Sequence, residues 1–531
     1  MSPSTKFRKK SCHPEPRRRR GISSAQFTIF CRGKAANAIA IALSVPRRLG
    51  MVSLVALAFC LTFVHSAWAI GGVDTPPAPS ATHVTKFATP KETRLENGLR
   101  VIVVERHDLP LLAAQVVVRS GAEVDPPHLA GTASMTSDLL TRGTEAMSAP
   151  EIARTIESLG ASIDSGAGWD ASGATVVMMS DKANEALKVL ADVVRHPAFK
   201  QEEIDRLKSQ RLDGLRVALQ QSGSLARFVT ARTVYGTGAY GHAVSGTLET
   251  VQAITRDQIV RLYQQYYEPR NTAFVLAGDI TLEQGKAFAG KFFGDWKNND
   301  VVPNEEVRSG AADWKPENIV IDMPEAGQAA VTVARPAIKR AALDYYSALV
   351  ANAALGNGFV SRLNREIRIK RGLSYGAGSS LDPRREKGPF SAFAQTKNES
   401  AAEVAGLMQS ELKRLVSEPV KGDELKSRQA VLIGGYARNL ETNQGFVSQI
   451  SDLATYDLPL DTLDKYIPSI DAVTTEAVTA FAKEYLARPT SVVIVGKAAD
   501  FLEALKKNFP EVKLIKQKDL DLNRADLVKA K

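Results

Sequence analysis

Stretches of this chain repeat one another at an offset of 218 to 219 residues, and that repetition restricts the available folds more than any other feature. Asp205–Gln210 (DRLKSQ) recurs as Asp423–Arg428 (DELKSR), and Thr255–Tyr266 (TRDQIVRLYQQY) matches Thr474–Tyr485 (TTEAVTAFAKEY). Each longer copy is followed by a proline and then an apolar run ending in glycine, Thr272–Gly278 (TAFVLAG) or Ser491–Gly496 (SVVIVG). A period this long means duplicated domains, because solenoid repeats are several times shorter. The length of 531 residues agrees, being too great for one hydrophobic core.

Within each copy the residues favour a sheet with helices. One half opens with Leu99–Val104 and Leu112–Arg119, the other with Asn318–Asp322 and Ala329–Ala334, all short β-branched runs. Ala186–Val194 and Ala401–Leu415 space their apolar residues as helices do, and Ala174–Met179 alternates as a strand. The expected fold class is α+β, with two similar halves, each a mainly antiparallel sheet with one face covered by helices. The halves are placed at residues 92–296 and 317–517, joined by a polar linker at 297–316 containing Pro303 and Pro316, with 518–531 as a tail.

Net charge first suggests a nucleic-acid partner, and its distribution removes that suggestion. The chain carries +10, and residues 1–50 alone carry +11 from twelve Lys/Arg against Glu15, so the rest carries −1. A near-neutral body lacks the basic field that a phosphate backbone requires. Arg47-Arg48, the apolar Met51–Val64 and Ala67-Trp68-Ala69 follow the order of a secretory signal, with cleavage expected after Ala69 and the product soluble in a periplasm. The competing reading is an uncleaved anchor, since Met51–Ile70 is nearly long enough to span a bilayer. The A-x-A ending favours cleavage, leaving no stable membrane span. Residues 1–69 are therefore an extension plus signal, and residues 70–91 a flexible lead-in rich in proline and small residues. Cys12, Cys31 and Cys60 all precede the cleavage point, so the mature chain has no disulfide, thiol catalyst or cysteine metal site.

Several motifs together resemble the pitrilysin (insulinase-like) metallopeptidases over roughly residues 92–500. Arg94–Val101 (RLENGLRV) is similar to the family's opening, and Tyr240–Thr247 (YGHAVSGT) to its mid-domain loop. Tyr267–Asn271 (YEPRN) with Ala277–Ile280 (AGDI) resembles the end of its first domain. Leu355–Gly358 (LGNG), Ser361–Leu363 (SRL) and Arg368–Tyr375 (RIKRGLSY) resemble the hallmark of its second. The resemblance implies two α+β halves closing like a clamshell around an unfolded peptide.

It also implies a zinc motif, H-x-x-E-H before a Gly-Thr, and here the chain departs from the family. With Gly143-Thr144 as the reference, Ser134 and Asp138 stand at the two histidines and Ser137 at the glutamate. Two imidazoles four residues apart hold Zn²⁺ on one helical face while the glutamate deprotonates bound water. Serines cannot do this. The third ligand position falls at or beside Gly214 in Arg211–Arg216 (RLDGLR), and His83, His107, His128, His196 and His242 are too dispersed to substitute, so each is taken as a surface or satisfied interior residue. No cofactor is expected in this chain, and zinc is expected in a partner.

What the resemblance leaves in place is Arg368 and Tyr375, which match the pair that reaches across the clamshell to the substrate. Both are hydrogen-bond donors suited to a peptide carbonyl and its oxyanion. From composition alone, Arg368 would be a solvated helix face, recurring with Arg365 and Arg371, and Tyr375 a half-buried strand aromatic. The expected function is a non-catalytic, substrate-binding subunit completing the site of an H-x-x-E-H-bearing partner. The alternatives are a peptide-binding or scaffold protein with no proteolytic role, and a self-sufficient hydrolase on Ser134 or Ser137, which lack a histidine at any dyad spacing. Gly356–Gly358 reads as a helix-entry turn, since the Lys and Ser/Thr of a phosphate loop are missing, and Arg384–Lys387 (RREK) as a solvated turn.

Overall fold

The fold is seen in a computed structural model that describes residues 87–299 and 309–530. All of them fall in one compact unit, Val84–Lys531. The expected signal, the charged extension, most of the expected lead-in and the middle of the expected linker lie outside the described residues.

Two six-stranded sheets form the framework. The first comprises β1 (Lys91–Arg94), β2 (Arg100–Glu105), β3 (Leu111–Val118), β4 (Ser162–Ala167), β5 (Ser172–Met179) and β6 (Thr272–Gly278), in the order β1-β2-β6-β3-β5-β4. The second comprises β7 (Asn318–Asp322), β8 (Ala329–Pro336), β9 (Ser374–Leu381), β10 (Pro389–Thr396), β11 (Ser491–Gly496) and β12 (Val512–Lys516), in the order β12-β7-β11-β8-β10-β9. The five strands β2-β6-β3-β5-β4 thus repeat as β7-β11-β8-β10-β9, and most neighbours are antiparallel. The β2/β6, β7/β11 and β7/β12 pairs are parallel, and in each half three further strands and several helices lie in the chain between the central parallel partners, ample length for the return.

The expectation of one covered face is too small. Strands β6 and β11 are buried at every position, which requires cover on both sides. Helices of the same half supply one cover, for instance Ala183–Arg195 with Leu187, Leu190 and Val194 in the first core. The other half supplies the second. Phe446, Val447, Ile450 and Leu453 of the Asn443–Thr455 helix pack against Ile102, Val104, Ala113 and Val275 of the first sheet. Reciprocally, Leu225, Ala226 and Val229 of the Ser222–Tyr235 helix pack against Ile319, Ile321, Val493 and Val495 of the second. Each large apolar side chain buried this way contributes about 1.5–3 kcal/mol, so the exchange holds the halves together as a core would.

The hairpin turns reinforce it. Arg384, in the β9–β10 turn, places its guanidinium 4.1 Å from the Trp169 ring and 4.7 Å from that of Tyr240, while its Nε and Nη2 donate to Asp382. The Arg385 backbone N–H donates to the Asp170 carboxylate at 2.8 Å, and its side chain donates to the carbonyl of Arg119 at 2.7 Å. Tyr240 donates to the other Asp170 oxygen at 2.6 Å, and the Tyr235 hydroxyl donates to the Lys387 carbonyl. Arg384–Lys387 is therefore no solvated turn. All four of its residues meet the first half, the Glu386 N–H donating to the Tyr240 hydroxyl at 3.3 Å, through groups that only a folded partner surface can offer. Residues 518–530 also pack back, with Leu527 buried beside the Ser222–Tyr235 helix and Arg232 donating to the Leu522 carbonyl.

Candidate functional site

The degenerate zinc segment does fold as a helix, Thr132–Asp138. Gly131 precedes it with φ +98°, a conformation that favours glycine, and Asp125 caps it by accepting from the backbone N–H groups of Gly131 at 2.6 Å and Ala133 at 2.7 Å. Burial pushes the Asp125 carboxyl up to about 7, against the pull of those two bonds. His242, packed nearby with its ring nitrogens 3.0 and 3.1 Å from the Ala243 and Ala122 carbonyls, has its pKa lowered by burial, and its one neutral-form N–H can donate to only one of the two, so it is an interior residue and no ligand.

At the zinc position the structure holds a guanidinium. Arg211, on the Gln201–Leu219 helix, donates through Nη1 to Ser134 Oγ at 3.0 Å and through Nη2 to the Asp138 carboxylate. The Arg211 side chain is largely buried there. Gly214, one turn later, has no side chain to offer, and its α-carbon faces open space. Ser137 is turned the other way, its hydroxyl 3.3 Å from the Gly173 carbonyl of β5. These residues do not fit zinc. The two helix positions that would grip the ion are bound by a fixed positive charge, which repels a dication, and the general-base position points into the sheet. Among the described residues, no group of three or more His, Cys, Asp or Glu is placed to hold a metal ion.

Beside this bridge lies a cavity of about 1020 Å³ between the two sheets. Ser134 and Arg211 line it from the first half, and Ser374, Tyr375, Phe393 and Gln395 from the second. Tyr375 is 89% exposed, so it is not the half-buried strand aromatic that composition suggests. A π-helical stretch, Asn364–Lys370, ends at a turn where Gly372 takes φ +63°, and β9 then begins at Ser374. Arg368 is exposed on that helix, with its guanidinium 4.9 Å from the Phe359 ring, and it is not part of the cavity wall. The structure thus brings Tyr375 to the cavity and leaves Arg368 outside it. Gly356 closes the Tyr345–Leu355 helix, so the Gly356–Gly358 turn leaves one helix as well as leading towards the next.

The comparisons agree with this geometry. The family model described as insulinase (peptidase family M16) matches residues 100–242, and that described as the peptidase M16 inactive domain matches residues 253–432. A crystal structure titled as a peptidase M16 inactive domain, from Pseudomonas fluorescens, superposes with TM-score 0.72 at 28% identity, covering 77% of this chain and 98% of that one. A protein named non-peptidase homolog YmxG, from Helicobacter pylori, is 22% identical over 386 residues, spanning 72% of this chain and 88% of its own. An uncharacterised zinc protease of Streptomyces coelicolor is 24% identical over 420 residues, covering 78% of this chain and 91% of its own. The chain belongs to the insulinase-like M16 peptidase family.

Two functional features escaped the sequence reading. Arg211 was in view as the first residue of the RLDGLR stretch, and a signal existed, since the carboxylate of Asp138 stands at a vacated ligand position and is half-buried there. The clasp at Arg384 and Arg385 left no comparable mark, because a run of charges is usually a solvated turn.

Proposed function

We propose that this chain is the zinc-less, substrate-binding subunit of a two-chain M16 peptidase acting on unfolded peptides. The observation that carries the reading is the Arg211 bridge to Ser134 and Asp138, which disables one centre within a fold that still presents Tyr375 at the cavity. The partner would bear the H-x-x-E-H motif and the zinc. This chain would be exported, with its signal removed after Ala69, and would supply Tyr375 and Arg368 to the peptide carbonyl at the partner's metal. Because Arg368 stacks on Phe359 outside the cavity wall, the reading requires its side chain to swing when the partner docks. A role as a peptide-binding scaffold is the competing reading, favoured by the non-peptidase name of the Helicobacter relative.

Co-expression with an H-x-x-E-H-bearing M16 chain of the same cell, followed by a peptide-cleavage assay, tests the proposal. In the assembled enzyme, Arg368→Ala or Tyr375→Phe should lower kcat by on the order of 10²–10³, the usual cost of losing one oxyanion donor. Arg368→Lys should restore little, since an ammonium lacks the planar fork. Wild-type turnover by both variants in an intact complex would overturn the assignment, as would full activity of the zinc-bearing chain alone.

A further inference from the structure

The walls of the cavity carry an uneven set of charges. Arg211, Arg227 and Arg384 line it, coming from three different elements, and among the described residues the single carboxylate on the wall is Asp382. Asp382 is already engaged by Arg384 Nε and Nη2 at 2.9 and 2.7 Å. Asp138, which neutralises Arg211, is not on the wall, so the cavity meets the cation and not its counter-ion. Arg227 is exposed on the Ser222–Tyr235 helix and donates to the Ser224 hydroxyl one turn back, with no acidic partner among the described residues. His242, also on the wall, is pushed towards its neutral form by burial. Between the cations lie apolar and aromatic groups, Phe228, Tyr375 and Phe393 among them.

A concave, partly apolar site focuses the field of such charges, and a ligand is selected by the sign it meets there. The volume of about 1020 Å³ admits a peptide segment of several residues. We infer that the cavity selects anionic peptide segments, in which Asp or Glu side chains pair with Arg227 and lie within the field of Arg211, while neighbouring apolar residues rest on Phe228 and Phe393. This inference rests on the peptide-binding reading and names the substrate class for it. A near-neutral protein body makes the local excess meaningful, because no global positive field accounts for it.

Fluorescence anisotropy on the purified chain from Ile70 onward, free of the basic extension at residues 1–50, decides the matter. Three labelled, unstructured peptides of about ten residues, alike in aromatic content and differing only in acidic, neutral or basic side chains, are titrated at low and moderate salt. The acidic peptide should bind about ten-fold more tightly than the basic one, the worth of one charge-assisted contact, and added salt should narrow that gap. Arg227→Glu should cancel the preference, whereas Lys413→Glu, the same charge change on an exposed helix position away from the cavity, should leave it intact. Circular dichroism establishes that both variants are folded. Equal binding of all three peptides, tighter binding of the basic one, or a preference untouched by Arg227→Glu would overturn the charge inference and leave peptide binding standing. Absence of binding by every peptide would overturn the peptide-binding reading itself.

Discussion

The two halves share a strand order and an exchanged helix, yet the buried helix after β3 and its counterpart after β8 differ in chemistry. In the second half, Tyr345–Leu355 buries Ala348, Val350, Ala351, Ala354 and Leu355 and is plain core. In the first half, Thr132–Asp138 carries Ser134, Ser137 and Asp138 and is tied to Arg211. The hairpin turns diverge in a complementary way. The β4–β5 turn offers Trp169 and Asp170, and the β9–β10 turn answers with Arg384 and Arg385. Two identical chains meeting at a two-fold axis must put the same chemistry on both sides of the contact. Joining the copies in one chain removes that constraint, so an aromatic-acidic turn can face a basic one. Packing demands held the repeat in place, while positions freed from self-complementarity became specific.

The strongest way to break this comparison is to remove the acceptor that both halves use. Asp170→Ala deprives the Tyr240 hydroxyl and the Arg385 N–H of their partner, and the fold should lose on the order of 3 kcal/mol in urea denaturation. A loss within experimental error would mean that the turns merely touch, and that the exchanged helices alone unite the halves. A smaller effect is expected at the vacated metal position. Arg211→Ala leaves Asp138, whose pKa burial already raises, without its cation, at a cost of about 1–3 kcal/mol. The double variant Arg211→Leu with Asp138→Leu should recover part of that loss, since removing both partners avoids the unpaired charge. Additive losses in this cycle would show that the bridge contributes no coupling.

The legibility of the fold follows from the same contrast. The repeat at 218 to 219 residues, together with the apolar runs at β6 and β11, contains the two-sheet duplication, because those signals are local and periodic. The helix exchange was not legible, since Phe446 and Ile450 look equally apolar whichever sheet they cover. The departure from the family's zinc motif is legible at Ser134, Ser137 and Asp138, because residue identity is a property of single positions. What stands there instead is not, because Arg211 lies 73 residues from Asp138 and no spacing rule joins them. Tyr375 and Arg368 were found by motif alone, and motif carries no information on whether two side chains face one cavity.

The finest discrimination between the halves comes from a single buried carboxyl. Glu123 accepts from the Gly121 N–H through Oε2 at 2.7 Å, while Oε1 has no hydrogen bond and lies 3.7 Å from Arg385 Nη1. Burial first, and the charge of Asp170 second, push its pKa up to about 8, with Arg385 opposing. The position 218 residues on is Ala341, so the second half has no titrating group there. Because the folded-state pKa lies above that of an unfolded glutamate, the folded protein retains a proton that the unfolded chain releases. The stabilisation is complete below about pH 4.5 and is lost as pH rises towards 8, with a slope of at most about 1.4 kcal/mol per pH unit. Asp125 on the same side of the molecule, raised to about 7, acts in the same direction. Urea denaturation at about pH 5.5 and about pH 8.5 should therefore find the wild type weaker at the higher pH, and Glu123→Gln should shrink the difference without abolishing it, since Asp125 still titrates. An unchanged difference in the variant would place the proton elsewhere, and the clasp would then be insensitive to pH through its first-half side.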